Sequence, residues 1–530
     1  MKKRVISLIL AMVCSLMLLS GCGTATNETQ PEENNQTVIG YVAPDLSGVK
    51  ITQYMPANTD YDPEKTWLNT AIENYLGLDL EIVEADGLGT LLRDMVAQWN
   101  LPDLIWTNGY SHSAYAVGYG EEQGAFINIL KYLDAMPNVK AYLEDPANAK
   151  TVAAYTYKEG QMYAIPVKQT GSAAVYTFLY RKDIFEKHNL QWPTNQEEFV
   201  AVLRKLKELY PNSQPFVMRN MTKNIQGAQV MGHLWGASHI VPGNQAFTLG
   251  KDGTYYFAPM GKAYQEMAQF FYDMIGEGLM NKSSMRIDAA GWQKSFYNNE
   301  SFITYDKVDR LPILNEGGQA VNPDFKMVGG EPFNMGSYAE TTDVVSTSFA
   351  GGISAYAYMI GDNANLDNVL AYVDWLYSDE GVEMTNWGVE DESFIIDAKG
   401  NKIFAEGFIE DQGSWNNTGL CKPANSGVVD FDAYTASCDG DMAASLEIGQ
   451  KYAGTGPEQI ALEFTEDEQL LLKTYASGLY QKACSEWMKF VEGQNDFAQW
   501  DEVFAYYKEI YMYDALQKAH QDAYQRMQEK

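Results

Sequence analysis

The side chains this sequence offers for chemistry fall just after predicted strands. Trp106-Thr107-Asn108-Gly109-Tyr110 closes a short apolar run that begins at Leu104, which puts Asn108 and Tyr110 at a strand's carboxyl end. Asn58 ends the stretch from Gln53 that follows a strand predicted over Val49 to Thr52. Tyr305 and Asp306 follow Ser301 to Thr304, and Trp235 shares a glycine-rich loop with His233. Trp387 lies between Asn386 and Gly388. In open α/β sheets, ligands sit beyond the carboxyl ends of strands. A flat ring covers an apolar C–H face, while amides and carboxylates meet hydroxyl groups, so this set suits a polyhydroxylated solute. Each residue also has an ordinary structural reading. Asn-Gly is turn chemistry, a Trp belongs mostly to cores, and a single His is most often structural. The ligand-binding candidates are therefore Asn58, Asn108, Tyr110, Trp235, Tyr305, Asp306 and Trp387. Tyr110 and Trp387 are expected from one lobe, Trp235 and Tyr305 from another.

Residues arranged for catalysis are not found. There is no Gly-x-Ser-x-Gly, no His-Glu-x-x-His and no Walker loop. The 70 acidic residues leave a carboxylate pair open, so a glycoside hydrolase stands as the alternative to a binder. Asp362-Asn363-Ala364-Asn365 lacks the glycine and the terminal Glu of a calcium loop and reads as a helix-starting turn. The five histidines are scattered and no Cys-x-x-Cys occurs, so neither a metal site nor a cofactor is expected. After Cys22 only Cys421, Cys438 and Cys484 remain, and three cannot all pair. A Cys421–Cys438 bridge and three buried free thiols are both open.

The elements that must position these residues read as a repeating strand and helix. Asp62-Pro63 suits a helix start, and Trp67, Leu68, Ile72, Tyr75 and Leu76 follow at helical spacing up to Gly77. Leu78, Leu80 and Ile82 then alternate as a strand. Leu91 to Trp99 marks a second helix and Leu104 to Trp106 a buried strand. The rhythm predicts a parallel sheet flanked by helices. It returns with a strand over Ala174 to Tyr180, then a capping box at Thr194 to Glu197, then a stripe of Phe199, Leu203, Leu206 and Tyr210. Further helices are predicted over Tyr264 to Ile275 and Leu366 to Leu376, and a last long one carries Val503 to Tyr511.

The N-terminus is of a different kind. Lys2, Lys3 and Arg4 precede a nearly all-apolar run, Val5 to Leu19, that is short for a membrane span and reads as a signal peptide. Leu19-Ser20-Gly21-Cys22 resembles the lipobox of bacterial lipoproteins, which implies cleavage after residue 21 and a lipid on Cys22. Two acyl chains anchor stably. Gly23 to Gln36 holds no large apolar residue and is expected to be a flexible tether, so residues 22–40 link lipid to body. About 490 residues remain, too many for one core. The net charge of −32 excludes nucleic acid as a partner and is read as solubility, an acidic pocket for a cationic solute being the sharper alternative.

Several segments resemble the extracellular solute-binding lipoproteins of ABC importers, especially the carbohydrate type. These are Asn100 to Trp106 (NLPDLIW), Gly160 to Val167 (GQMYAIPV), Leu179 to Asp183 (LYRKD), Trp192-Pro193-Thr194, Tyr372 to Gly381, Phe490 to Gly493, and Trp500-Asp501. Their order along the chain strengthens the match, which is spread over residues 48–530. Trp99 stands where relatives have Gly, and Asp391 does the same. The resemblance implies an α/β, two-lobed, periplasmic-binding-protein-like (type II) fold with a ligand cleft between lobes. Residues 41–170 with about 350–410 would form the first lobe, and 171–349 with about 411–530 the second. It implies a monomer on the outer face of the cell membrane that binds a sugar or oligosaccharide and serves permease transmembrane subunits. A peptide or polyamine ligand is the other alternative. Crossings between lobes are expected near Val167 to Ala173 and Ser348 to Ser354.

Overall fold

The computed structural model describes residues 40–57, 62–108, 116–157, 160–171, 175–219, 225–237, 246–280, 282, 286–336, 356–409, 412–452, 462 and 464–529. Cys22 lies outside the described residues.

In chain order the strands of the first half are β1 (Lys50–Pro56), β2 (Asp79–Ala85), β3 (Leu104–Asn108), β4 (Ile165–Pro166), β5 (Lys168–Gln169) and β6 (Tyr176–Arg181). β7 (Phe247–Leu249) and β8 (Tyr255–Phe257) make a hairpin, followed by β9 (Ile303–Lys307) and β10 (Met327–Gly330). Then come β11 (Tyr356–Ile360), the hairpin β12 (Phe394–Ile396) and β13 (Lys402–Phe404), and β14 (Val428–Val429).

Two sheets organise the body. The first runs β2-β1-β3-β11-β4. β1 pairs in parallel with β2 and β3, as the strand–helix rhythm requires, while β11 is antiparallel to both its neighbours. The second runs β10-β6-β9, with β6 antiparallel to both neighbours. Single parallel bridges from Phe216 to Ile303 and to Met280 extend it beyond β9. Each lobe thus has one reversed strand, and it is the strand the chain lays down on entering that lobe. The expected all-parallel order fails there because a strand arriving from the other lobe runs the opposite way.

Local chemistry starts and stops the helices. The helix Trp67–Leu76 buries Leu68, Ile72 and Leu76, and ends on Gly77 at φ 76°. Its cap is Thr66, whose hydroxyl accepts from the Asn69 N–H at 3.2 Å, while Asp62-Pro63 opens only a short 3₁₀ turn before it. The helix Gln196–Leu209 is capped by Asn195, one residue later than expected, and Glu198 accepts from both N–H and hydroxyl of Thr194. Trp99 (φ 55°) and Asp391 (φ 66°) both occupy the left-handed region, which glycine adopts without steric cost.

The apolar residues form a core for each lobe. Ile51, Leu104, Tyr358 and Trp375 centre the first. The second is built around Phe178, Phe271 and Trp487, with a satellite of Val175, Trp292 and Leu446. Trp415, Leu420, Cys421 and Ala433 pack in the first core, whereas Met442 and Leu446 join the satellite and Leu472 onward the second core. The helix Glu466–Val491, which no sequence pattern marked, has a full capping box from Thr465 and Glu468 and packs on the second core. The predicted last helix is Trp500–Ile510, and a further helix that no pattern marked, Tyr513–Gln528, follows it after Met512 at φ 53°.

The chain leaves the first core at Val167 and enters the satellite at Val175. Over that crossing β5 pairs in parallel with β14. Thr170 ties the two together: its N–H donates to Val429 O at 3.1 Å and its hydroxyl accepts from Phe431 N–H at 2.8 Å. Ser348 to Ser354 lies outside the described residues.

Candidate functional site

The crossing joins a strand end of each sheet: Val167 N–H donates to Tyr356 O at 2.9 Å where it leaves the first, and β6 begins at Tyr176 where it enters the second. On the first sheet, β3 ends at Asn108, which is paired with Tyr356 at the start of β11. Alternation puts Trp106 and Tyr356 on one face, where their rings stack with centroids 5.2 Å apart and planes 13° from parallel. The Trp106 Nε1–H and the Thr107 hydroxyl are buried without a hydrogen-bond partner. On the second sheet, β9 ends at Lys307, which is paired with Tyr176 at the start of β6. Tyr176 stacks on Tyr305 at 6.3 Å, and the Lys307 ammonium lies 5.8 Å over the Tyr176 ring.

Charged groups stand among these rings. Asp306 accepts two hydrogen bonds from Arg219, Nε to Oδ2 at 2.6 Å and Nη2 to Oδ1 at 2.9 Å. The same guanidinium lies 5.1 Å from the Trp292 ring. This fork geometry is the strong form of the pair and raises the Arg219 pKa further. Next along the chain, Arg310 Nε is 2.9 Å from Asp309 Oδ1, yet neither atom makes a hydrogen bond. The N–H is not aimed at the oxygen, so both have capacity for another partner. Burial raises the Asp309 pKa; burial and then the Asp309 charge raise that of Tyr356, and burial, then Cys438 and Asp309, raise that of Tyr434. Tyr176 is pushed up to about 12, first by burial and then by Asp306.

The predicted site residues fare unequally. Asp306 stands in this region, but its carboxylate is engaged by Arg219. Tyr305 lies behind Tyr176, with its hydroxyl buried and without a partner. Asn108 is the last residue of β3. Asn58 and Tyr110 lie outside the described residues. Trp235 is 1% exposed and packs against Phe270 in the second core, so it is not a platform. Its neighbour His233 is also buried, which lowers its pKa to about 4. Trp387 is 7% exposed, stacks on Phe404 and donates Nε1–H to Asp430 at 3.0 Å, so it too is a core ring. Both reached the core because a glycine-flanked loop reads as exposed in sequence, whereas a large ring there folds back under it.

Sequence reasoning missed Trp106, Tyr176, Arg219, Asp309, Arg310 and Tyr356. In sequence Trp106 ends the predicted buried strand from Leu104, and Tyr176 lies inside the predicted strand Ala174 to Tyr180. The signal available was position: each lies within two residues of the strand end beside the crossing. Arg219 carried no signal, because its partner is 87 residues away.

Among the described residues no group of His, Cys, Asp and Glu is placed to hold a metal ion, and no helix is long and apolar enough to cross a membrane. Cys421, Cys438 and Cys484 are free thiols.

This is the two-lobed α/β fold of the extracellular solute-binding proteins of ABC transporters. The chain superposes on the alginate-binding protein AlgQ2 over 90% of its own length and 98% of that chain, with a TM-score of 0.65 and 20% identity. In sequence it is 25% identical, over 205 residues, to an uncharacterized ABC transporter extracellular-binding protein of Pyrococcus horikoshii, covering 37% of this chain and 42% of that one. It is 21% identical over 193 residues to the melibiose/raffinose/stachyose-binding protein MelE of Bacillus subtilis, covering 36% and 38%. The chain thus aligns with about two fifths of the curated relatives' length. No family profile matches it.

Proposed function

We propose that this chain is the solute-binding component of an ABC importer. It captures a sugar or oligosaccharide between its lobes and delivers it to the transmembrane subunits of a permease. The observation that carries this reading is that a ring stack, Trp106 on Tyr356, stands where the first sheet meets the crossing, and that Tyr176, Arg219, Asp309 and Arg310 stand where the second sheet begins after it. Rings there suit the apolar face of a pyranose, and the underused Asp309 and Arg310 suit its hydroxyls. MelE and AlgQ2 carry names of the same ligand class. The role needs no reaction: binding followed by hinge closure suffices.

A thermal-shift screen over neutral and acidic oligosaccharides tests this. A ligand that binds only the folded state raises Tm by an amount set by its concentration over Kd. At least one oligosaccharide should do so and be recovered uncleaved. A panel with no stabilising sugar, or the release of new reducing ends, overturns the reading.

The protein acts as a monomer at the outer face of the cell membrane, held by a lipid on Cys22. Support comes from the signal-peptide-like run and the lipobox-like Leu19-Ser20-Gly21-Cys22. Cys22→Ala should leave an uncleaved precursor or release protein to the medium. Normal processing and retention of that variant would remove the anchor from the account.

A further inference from the structure

Three cations and two carboxylates stand where the second sheet begins after the crossing. Asp306 is matched by the fork of Arg219, at 2.6 and 2.9 Å. Asp309 has Arg310 beside it, with Nε 2.9 Å from Oδ1. That leaves the charge of Lys307 without a counterpart in the group. Lys307 is half-buried, and its ammonium lies 5.8 Å over the Tyr176 ring. Among the described residues, every other half-buried lysine except Lys168 reaches a carboxylate or, as in Lys207 and Lys422, a carbonyl or amide oxygen. Lys168 lies in β5, at the other end of the same crossing. The chain has 70 acidic and 38 basic residues, so carboxylates are not scarce. Two half-buried ammonium groups without one, at the two ends of the crossing between the lobes, call for a counter-charge from outside the chain.

The neighbouring groups say what kind of anion fits. The Arg310 Nε–H is buried, is not aimed at Asp309 and makes no hydrogen bond, although the side chain as a whole is 40% exposed. Its planar fork is therefore uncommitted, and such a fork matches a carboxylate with two parallel N–H···O bonds. Tyr176, paired with Lys307 across the strands, adds a half-buried ring suited to the apolar face of a pyranose. A ring and two available cations at one strand end suit a sugar that carries its own carboxylate.

We propose that the solute is an acidic saccharide, an oligomer containing uronic acid, with a carboxylate held by Lys307 and Arg310 and a ring face against Tyr176. The proposal rests on the binding function above and narrows its ligand. With a net charge of −32 the chain as a whole repels an anion, so the preference depends on these few cations and is screened by salt.

The test is isothermal titration with short oligomers of galacturonate, glucuronate and mannuronate, each beside its carboxyl-reduced form. Reduction turns each carboxylate into a hydroxymethyl group and leaves the ring hydroxyls in place. At least one acidic oligomer should bind about tenfold or more tightly than its reduced form. That advantage should shrink between about 50 and about 500 mM NaCl. It should also fall in Lys307→Gln and in Arg310→Gln, with Tm and the affinity for the reduced form held within about twofold of wild type. Lys131→Gln, an exposed cation of the first lobe, should leave the advantage intact. Reduced forms that bind as well as the acidic ones, or an advantage untouched by both variants, overturn the proposal. Binding of neutral oligosaccharides alone does so too and leaves the proposed function standing, whereas no binding of any sugar removes both.

Discussion

Tyr176 and Trp235 show how differently two aromatic residues of one lobe behave. Tyr176 is half-buried at the start of β6, beside the crossing between the lobes. Tyr176→Ala should weaken sugar binding by roughly 1–3 kcal/mol, about five- to a hundredfold, with a small change in Tm. Trp235 is enclosed, so Trp235→Ala should cost about 3–5 kcal/mol of stability while the folded fraction binds normally. Measuring Tm and Kd on both variants separates the roles, and the reverse pattern would exchange them. His233 adds a pH dependence. Burial holds its folded-state pKa at about 4, below its ordinary value near 6.5. The unfolded chain therefore takes up a proton first. Stability present above pH ~6.5 is lost as pH falls towards ~4, by up to about 3 kcal/mol. In His233→Gln this component should vanish, so the difference from wild type should shrink across that window. A constant difference from pH 7 to 4 in urea denaturation would contradict it.

At the scale of elements, the caps and breaks matter most. Trp99 closes the helix Leu88–Gln98 in the left-handed region with its ring exposed, a place where glycine carries no steric cost. Trp99→Gly should therefore raise stability by about 1 kcal/mol, read as a higher denaturation midpoint. An unchanged or lower midpoint would mean that the exposed indole has contacts worth more than the strain. The crossing at β5 and β14 has the opposite need. A Cβ on Gly171 would come within 2.5 Å of the Phe431 ring, so Gly171→Val should force the two crossing segments apart. Closure around ligand should be impaired, with affinity reduced, and Phe431→Ala should restore it in the double variant. If the single variant binds as wild type, the crossing is not a hinge under that constraint.

For the whole molecule, two lobes, one on a five-stranded mixed sheet and one on a three-stranded sheet, are joined by the paired crossing strands β5 and β14. Such a body closes on its ligand by rotation about the crossings. Solution X-ray scattering should show a smaller radius of gyration when a saturating oligosaccharide is added, and the change should be absent in Gly171→Val. A scattering curve that does not move at saturation would count against mobile lobes.

Sequence alone determined what is local. Apolar spacing placed the helices at Tyr264 and Leu366 within two residues, alternation marked β2, and Gly77 marked its helix end, because each depends on neighbours within a turn or two of chain, whereas β1 runs to Pro56, four residues past its predicted end at Thr52. Ordered short motifs pointed to the fold for the same reason. What only the tertiary structure decided depends on contacts between distant segments. Strand direction in β6 and β11 is set by the lobe from which the chain arrives. The assignment of Trp415 and Cys421 to the first core is set by a crossing that no composition change marks. Whether a ring is a platform or a filler is set by what packs on its second face. Phe270 closes Trp235 and Phe404 closes Trp387, whereas Tyr176 has Tyr305 on one side and stands half-buried beside the crossing. The pairing of Arg219 with Asp306 spans two strands' worth of fold, and nothing in either residue's neighbourhood along the chain encodes it.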